Sequence, residues 1–168
     1  MKTTILKFFT LSAAIFAFST ISFGQATGTA QAAANIVTPI SITKNIDLNF
    51  GNIAASGSNF TVALSAAGVR SSTGGTGTLP SVMGTVAAAE FTVAGLSGAT
   101  YAVTLPSSIT IKDGGETNTM TVDNFESNST FTLTGGSETF NVGAILNVGA
   151  NQVAGVYSGS FNVTVNYN

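Results

Sequence analysis

The clearest pattern in the chain is the alternation of apolar and polar residues over its last segment, Gly155 to Asn168. Side chains of an extended chain point to opposite faces in turn, so this segment can bury one row and leave the other in water. The pattern predicts a β-strand with Phe161 and Val163 in the core. The residues on the face predicted to pack or to pair with a partner are Gly155, Tyr157, Phe161, Val163, Val165 and Tyr167.

Shorter alternating segments recur upstream, and glycine-rich turns such as Asp113-Gly114-Gly115 and Gly135-Gly136 separate them. The runs are 40–42, 46–50, 60–64, 89–93, 101–105, 109–111, 120–122, 131–133 and 140–148. Small apolar residues between Gln25 and Asn35 predict a further edge strand. About nine or ten short strands without a helical pattern predict an all-β, immunoglobulin-like sandwich whose last two runs form an antiparallel pair.

One segment, Ser71 to Thr85, breaks the alternation because it is rich in glycine, serine and threonine and contains a proline. It is predicted to be a long exposed loop. A phosphate-binding loop is not favoured, since no lysine follows and no helix begins there. The adjacent Arg70 is predicted either to bind an acidic ligand or, more commonly for such a residue, to pair with a carboxylate. The candidate ligand-loop residues are Arg70, Gly74, Gly75 and Gly77.

The first 24 residues predict a secretory signal peptide. Two lysines precede the apolar segment Phe8 to Phe23, and small residues occupy positions 22 and 24. As a helix the apolar segment would span only about 24 Å, short of a hydrocarbon core of about 30 Å. Cleavage before Gln25 would release a single domain, residues 25–168, without a transmembrane helix. Its expected location is the periplasm, the outer cell surface or the extracellular space.

The chain has few side chains suited to catalysis or metal binding, because it has no histidine and no cysteine. Catalysis by Ser-His or Cys-His pairs and metal binding through nitrogen or sulfur are therefore excluded. The remaining candidates are carboxylate pairs three residues apart, Asp113 with Glu116 and Asp123 with Glu126. Acids at this spacing around turns are usually solvated, and they are too sparse for a calcium loop. We expect no enzyme activity, no cofactor and no metal.

The charge of the exported chain also narrows its partners. Removal of the signal peptide leaves Lys44, Arg70 and Lys112 as the cations, against seven acids. Nucleic-acid binding depends on clustered cations and is excluded. Without cysteine no disulfide can brace the exported chain, so its stability has to come from the core.

Several motifs together resemble a bacterial exported domain of unknown function, number 4402. The motifs are Phe50-Gly51-Asn52-Ile53, Gly68-Val69-Arg70, residues 89–95, 101–106, 120–122, 140–143, 146–148 and 155–165. Their order covers nearly the whole exported chain. The resemblance implies an exported location and a fold, but no activity.

A wider resemblance is to pilin subunits of the chaperone-usher type and to spore coat protein U domains. Those pilins end in an alternating strand with a penultimate tyrosine and a glycine fourteenth from the end, which a periplasmic chaperone recognises by strand pairing. Tyr167 and Gly155 occupy these positions here. An ordinary terminal strand of a sandwich would alternate in the same way. The chain also departs from these relatives in lacking cysteine and in having few large apolar residues in its N-terminal arm.

Three classes of function are open. The first is a non-catalytic exported structural or adhesion protein, a fimbria-like subunit that self-associates or binds a periplasmic chaperone by strand pairing. The second is a monomeric secreted module whose 71–85 loop binds a surface glycan or protein, although the absence of tryptophan weighs against stacking on sugars. The third is a small outer-membrane β-barrel, which needs strands of about 9 to 11 residues and so fits the short runs poorly. We rank them in this order.

Overall fold

The computed structural model describes residues 24–168, so the predicted signal peptide lies outside the described residues except for Gly24. In this range nine strands pair antiparallel, which confirms the predicted sandwich. Ile36 to Asn168 form one compact unit, and residues 24–35 contain no helix or strand. The strands are β1 Ser41–Ile46, β2 Phe60–Leu64, β3 Arg70–Thr73, β4 Ala89–Ala94, β5 Tyr101–Thr104, β6 Ser108–Lys112, β7 Thr119–Ser127, β8 Ser137–Val148 and β9 Thr164–Tyr167.

Helical structure in the described range is limited to one 3-10 turn, Thr134–Gly136, just before β8. Gly135 and Gly136 have φ of 72° and 90° there, a backbone conformation that glycine adopts without strain. The turn predicted at these two glycines is therefore confirmed. Between residues 24 and 168 no helix has the length and apolar character needed to span a bilayer.

The twelve-residue strand β8 organises the larger, seven-stranded sheet. Its first half pairs with β4, and its second half pairs with both β2 and β7. β2 and β7 bond to the same residues of β8, so they lie on opposite edges of that strand. β4 and β2 lie on the same edge of β8, one after the other. The exchange occurs at Gly143, where a Cβ would overlap the carbonyl oxygen of Leu64. Strands β1, β3 and β6 extend the sheet beyond β4, β2 and β7.

The second sheet contains only β5 and β9, with Tyr101 opposite Tyr167. The core consists of two apolar clusters, of which only the second includes residues of β5 and β9, and burial of each large side chain contributes about 1.5 to 3 kcal/mol. The first cluster contains Phe50, Phe60, Val62, Leu64, Val122, Ala144, Leu146 and Val148. The second contains Ala89, Phe91, Val93, Tyr101, Leu133, Phe140, Val142 and Val165. Phe91 and Phe140 are direct cross-strand neighbours, and their rings stack with centroids 5.8 Å apart.

Alternation predicted most strands correctly. The runs 60–64, 89–93, 101–105, 109–111, 120–122 and 140–148 correspond to β2, β4, β5, β6, β7 and β8. Two runs do not form strands of their own. In 46–50, Ile46 ends β1 and Asn49 forms an isolated bridge to Ala87, and 131–133 contributes only the bridge of Thr132 to Thr100.

Three other strand predictions are wrong. Gln25 to Asn35 form no strand, and their alanine and glycine side chains offer little to pack against a sheet. Ser71 to Thr73 belong to β3, so the segment 71–85 is not a loop throughout; this edge strand is polar on both faces and shows no alternation. The last two strands do not pair with each other. Both edges of the second half of β8 are already occupied, and β9 pairs with β5 instead.

Candidate functional site

The C-terminal segment crosses from one sheet to the other. Ser158 exchanges two backbone hydrogen bonds with Lys112 at the end of β6, of 2.9 and 2.8 Å. The next residue, Gly159, lies so close to β6 that a Cβ would come within 2.9 Å of the Ile111 side chain. Only Thr164–Tyr167 then form β9 on the second sheet. The predicted continuous strand is therefore a short strand preceded by a crossing.

Gly155 and Tyr157 lie apart from the pairing strand. Gly155 is exposed in the loop that precedes the crossing. The Tyr157 hydroxyl donates to the carbonyl of Val153 at 2.7 Å and accepts from the side-chain amide of Gln152 at 2.9 Å. Tyr157 thus closes its own loop, and the structure does not bring it together with Val165 and Tyr167.

Phe161 and Val163 pack against the second core but are only half-buried, which is less burial than the sequence predicted. The Phe161 ring lies between two others, 4.9 Å from Phe125 and 6.3 Å from Phe91, measured between ring centroids. Val165 is buried with 8% of its surface exposed. The alternation of faces is therefore present along the crossing as well as in β9.

Hydrogen bonding shows which backbone groups of β9 face β5. The Asn168 amide donates to the carbonyl of Thr100 at 3.3 Å. In an antiparallel pair, hydrogen-bonded positions alternate with non-bonded ones. Asn166, opposite Ala102, is therefore the next hydrogen-bonded position along the strand.

The intervening residues, Val165 and Tyr167, consequently direct their backbone N–H and C=O groups away from β5. Within residues 24–168 no backbone or side-chain group hydrogen-bonds to these outward groups. The free edge of β9, defined by the outward backbone groups of Val165 and Tyr167, is therefore unpaired within the described residues. Sequence alternation indicated the strand but could not indicate which of its edges would be unpaired.

The side chain of Tyr167 is already engaged in its own domain. Its hydroxyl donates to the carbonyl of Thr38 at 2.8 Å and accepts from the amide of Leu96 at 2.6 Å. Gly95 has no Cβ, and a Cβ there would overlap this hydroxyl. Tyr167 therefore ties the C-terminus to the segment before β1 and to the turn after β4.

Arg70 is a structural residue in this geometry. Its guanidinium donates to the carbonyl oxygens of Phe50 at 2.6 Å and Asn52 at 2.9 Å. Gly51, between them, has φ of 71°, and a Cβ there would lie 2.9 Å from the guanidinium. The two ion pairs among the described residues involve other cations, so the predicted pairing of Arg70 with a carboxylate is wrong.

The three glycines of the proposed ligand loop also have structural explanations. Gly74 has φ of 79° and Gly75 has φ of 57°, as the turn after β3 requires. Gly77 lies flat on the ring of Phe60, which a Cβ would overlap. Only Gly74 lines a surface groove, whose volume is about 480 Å³.

The two carboxylates of each predicted pair do not share hydrogen-bond partners. Asp113 accepts from the Thr117 and Asn118 amides at 3.0 and 3.2 Å and from the Asn118 side chain at 2.6 Å. The side-chain bond from Asn118 is the main cause that lowers the pKa of Asp113. Glu116 instead lies 3.8 Å from Lys112 in an exposed ion pair. Asp113 therefore stabilises the turn between β6 and β7.

The second pair is similarly separated. Asp123 accepts from the side-chain amide of Asn147 at 3.0 Å, whereas Glu126 is exposed beyond a bulge in the pairing of β7 with β8. Over residues 24–168 there is no cluster of three or more acids that could hold a metal ion.

Two polar contacts escaped sequence reasoning. Tyr101 of β5 bonds to Glu138 of β8 and so links the two sheets, although Glu138 has no distinguishing sequence context. Asn147, on the outer face of β8, is held by Asp123 and lines the groove that also contains Gly74. In the sequence, Asn147 is distinguished only as one of the polar residues that alternate with apolar ones in the 140–148 run.

A comparison with family models finds a match over residues 40–167 to the family described as Domain of unknown function (DUF4402). Neither the curated proteins nor the solved structures contain a match to the chain.

Proposed function

We propose that this chain, which belongs to the DUF4402 family, is an exported, non-catalytic structural subunit that joins its neighbours by strand pairing. The free edge of β9 carries the proposal. Its unpaired N–H and C=O groups offer the hydrogen bonds by which an added strand extends a sheet. The partner is a second copy in the assembly or, before assembly, a periplasmic chaperone.

The narrowness of the second sheet supports the same proposal. The second sheet has only two strands, whereas the sheet on the other side of the second core has seven. The apolar residues of the second core that remain half-buried are Ile40, Ile42, Leu48, Val103, Leu105, Phe125, Phe161, Val163 and Tyr167. A strand added beside β9 would widen the cover and remove more apolar surface from water, at about 25 cal/mol per Å².

The resemblance to chaperone-usher pilins and spore coat protein U domains enters here as part of the proposal. Since the Tyr167 hydroxyl is engaged within the domain, pairing would depend on the backbone edge rather than on this side chain. Location at the cell surface and the absence of turnover belong to the same proposal, which the lack of histidine and cysteine supports.

Proline substitution tests the edge directly, because proline removes an N–H and is tolerated on a strand edge that faces solvent. In Val165→Pro the lost N–H points away from β5, so the domain should remain folded while its association is lost. In Asn166→Pro the lost N–H bonds to β5, so the domain itself should be destabilised. Sedimentation of the exported protein, with thermal unfolding of each variant, separates the two effects.

Retention of wild-type association by a folded Val165→Pro protein would exclude pairing through this edge. A wild-type protein that stays monomeric both in solution and when extracted from its native cell envelope would favour the monomeric binding module instead.

A further inference from the structure

A surface groove lies on the outer face of the seven-stranded sheet, on the side away from the core. It occupies about 480 Å³, where β2, β3, β7 and β8 meet the loop that follows β8. We call it the amide groove. The polar residues that line it are Asn59, Thr61, Thr73, Thr119, Thr121, Asn147 and Gln152.

Strand register places hydroxyl and amide groups in one row across the groove. Thr73 lies opposite Thr61, Thr61 opposite Asn147, and Asn147 opposite Thr121. Neighbouring strands are about 4.8 Å apart, so the row offers a polar group at each such step. Thr110 of β6 continues the row beyond the groove.

The three amide side chains are held in place by partners that also fix which atom is nitrogen. Asn147 Nδ2 donates to Asp123 Oδ2 at 3.0 Å, and Gln152 Nε2 donates to the Thr119 carbonyl at 3.3 Å. Asn59 Oδ1 accepts from the Ala150 amide at 2.6 Å. Carboxylates and carbonyls only accept and backbone amides only donate, so these orientations are determined.

In each of these three amide side chains, the second polar atom is available to a ligand. Over residues 24–168, no hydrogen bond engages Asn147 Oδ1, Gln152 Oε1 or Asn59 Nδ2. The groove therefore presents two acceptors and one donor on side chains that lose little conformational freedom when a ligand binds, which lowers the cost of binding. In the same range no side-chain hydrogen bond involves the Thr121 hydroxyl, since Asn147 donates to the Thr121 backbone carbonyl instead.

The ligand class follows from the chemistry of this lining. No charged side chain lines the groove, so neither a phosphate nor an acidic or basic peptide gains an ion pair there. Hydroxyl groups both donate and accept, and they match a mixed set of amide and hydroxyl partners. Phe60, Met120 and Val148 also border the groove, but their side chains pack in or against the first core, so recognition would depend on the polar groups.

We propose that the amide groove binds a segment of neutral glycan. This proposal is independent of strand pairing, because the groove lies on the larger sheet and involves no residue of β9. A single groove without an exposed aromatic ring is expected to bind weakly, with a dissociation constant of about 1 mM. In an assembly of subunits, repeated grooves would raise the overall affinity by about 10² or more.

The test uses the exported chain labelled with ¹⁵N and titrated separately with cellohexaose, maltohexaose and chitohexaose to about 10 mM, enough to occupy such a site. At least one of these should shift the side-chain NH₂ resonances of Asn59, Asn147 and Gln152. Trigalacturonate, which is acidic, should shift none of them, because the groove offers no cation.

Thr121→Val is the informative variant, since it removes a free hydroxyl from an exposed strand position where valine is favoured. It should weaken binding about fivefold, the effect of one lost hydrogen bond. The matched control is Thr110→Val, in the same row but outside the groove, which should leave the affinity unchanged.

Absence of side-chain shifts with all three neutral oligosaccharides would overturn the proposal. Equal weakening by Thr121→Val and Thr110→Val, or stronger binding of trigalacturonate, would also overturn it. Monomeric behaviour of the protein would contradict strand pairing but would not affect this result, so failures of the two proposals are distinguishable.

Discussion

The phenolic hydroxyl of Tyr101 donates a hydrogen bond of 2.7 Å to Glu138 Oε2 and so joins the two-stranded sheet to the seven-stranded one. The same hydroxyl lies 2.9 Å from Ser129 Oγ, and the Thr130 amide donates to the other carboxylate oxygen. Tyr101 itself is 1% exposed. The Glu138 carboxylate is thus held at the junction of the two sheets by donors from two chain segments, Tyr101 in β5 and Thr130 after β7.

These contacts set the ionisation of both groups. Burial is the main cause that raises the pKa of Tyr101 to about 12, and the Glu138 carboxylate adds to it. Burial alone would raise the pKa of Glu138, but hydrogen bonds from Thr130, Tyr101 and Ser129 together lower it below its ordinary value of 4.5. Folding therefore favours the neutral tyrosine and the ionised glutamate.

The first prediction concerns acid stability. Because the pKa of Glu138 is lower in the folded chain, its contribution is complete above pH 4.5 and is lost as the pH falls through the folded value. Glu138→Gln should reduce the free energy of unfolding at about pH 7, and the difference from wild type should shrink towards about pH 3. Urea unfolding at a series of pH values measures this.

Asp113 also has a lowered pKa, so only the difference between variant and wild type isolates Glu138. Glu126→Gln, at an exposed position, is the control and should show no such difference. A Glu138→Gln deficit that is constant with pH would contradict the assignment. At the alkaline end, the Tyr101 contribution is complete below pH 10.0 and is lost as the pH rises through about 12.

The strands and core residues that depend on local periodicity could be predicted from the sequence. Phe91 and Val93, or Leu146 and Val148, are buried because a half-covered strand needs apolar residues at every second position, and this is visible in the chain itself. β3 was missed for the converse reason: Ser71, Ser72 and Thr73 are all exposed on an edge strand, and no alternation marks them.

Pairing could not be predicted in the same way, because it depends on residues far apart in the chain. The alternation of residues 140–148 shows a strand but does not reveal that β4, β2 and β7 all bond to it, which leaves β9 to pair elsewhere. The same limit applies to the site. Val165 was recognised as inward-facing, but its unpaired N–H follows only from the register with β5.

The second prediction tests the exchange of partners along β8. Gly143→Ala would place a Cβ against the Leu64 carbonyl and within 2.5 Å of the Ala66 amide nitrogen. Since both neighbours are backbone atoms, the strands must separate, and we expect a loss of about 3 kcal/mol or more. The control is Gly114→Ala, where a Cβ would meet nothing within 4 Å. Equal stability of the two variants in urea would contradict the described packing.

The third prediction separates the structural role of Arg70 from a ligand-binding role. Arg70→Met removes both bonds to the carbonyls of Phe50 and Asn52, and hydrogen bonds from charged groups contribute about 1.5 to 3 kcal/mol. We expect a loss of about that size in urea unfolding. Lys112→Met, which removes only an exposed ion pair of 3.8 Å, should cost at most about 1 kcal/mol. Unchanged stability of Arg70→Met would restore the ligand hypothesis.

The fourth prediction concerns Tyr167, whose ring and hydroxyl can be separated. Tyr167→Phe keeps the ring against the second core but removes the bonds to Thr38 and Leu96, so the free energy of unfolding should fall by about 1 to 2 kcal/mol. Because the backbone N–H of Tyr167 remains on the free edge of β9, association per folded molecule should be unchanged. Thermal unfolding and sedimentation of the same preparation measure both quantities.

Tyr167→Ser removes the ring as well and should lower stability further, which would reduce the amount at the cell surface without any effect on pairing. The amount of protein at the cell surface therefore cannot by itself distinguish the loss of a strand partner of β9 from a weakened core. The decisive comparison is Tyr167→Phe with Val165→Pro. If Tyr167→Phe abolished association while most of the protein stayed folded, the hydroxyl rather than the backbone edge would be the recognised group, and strand pairing at β9 would lose its support.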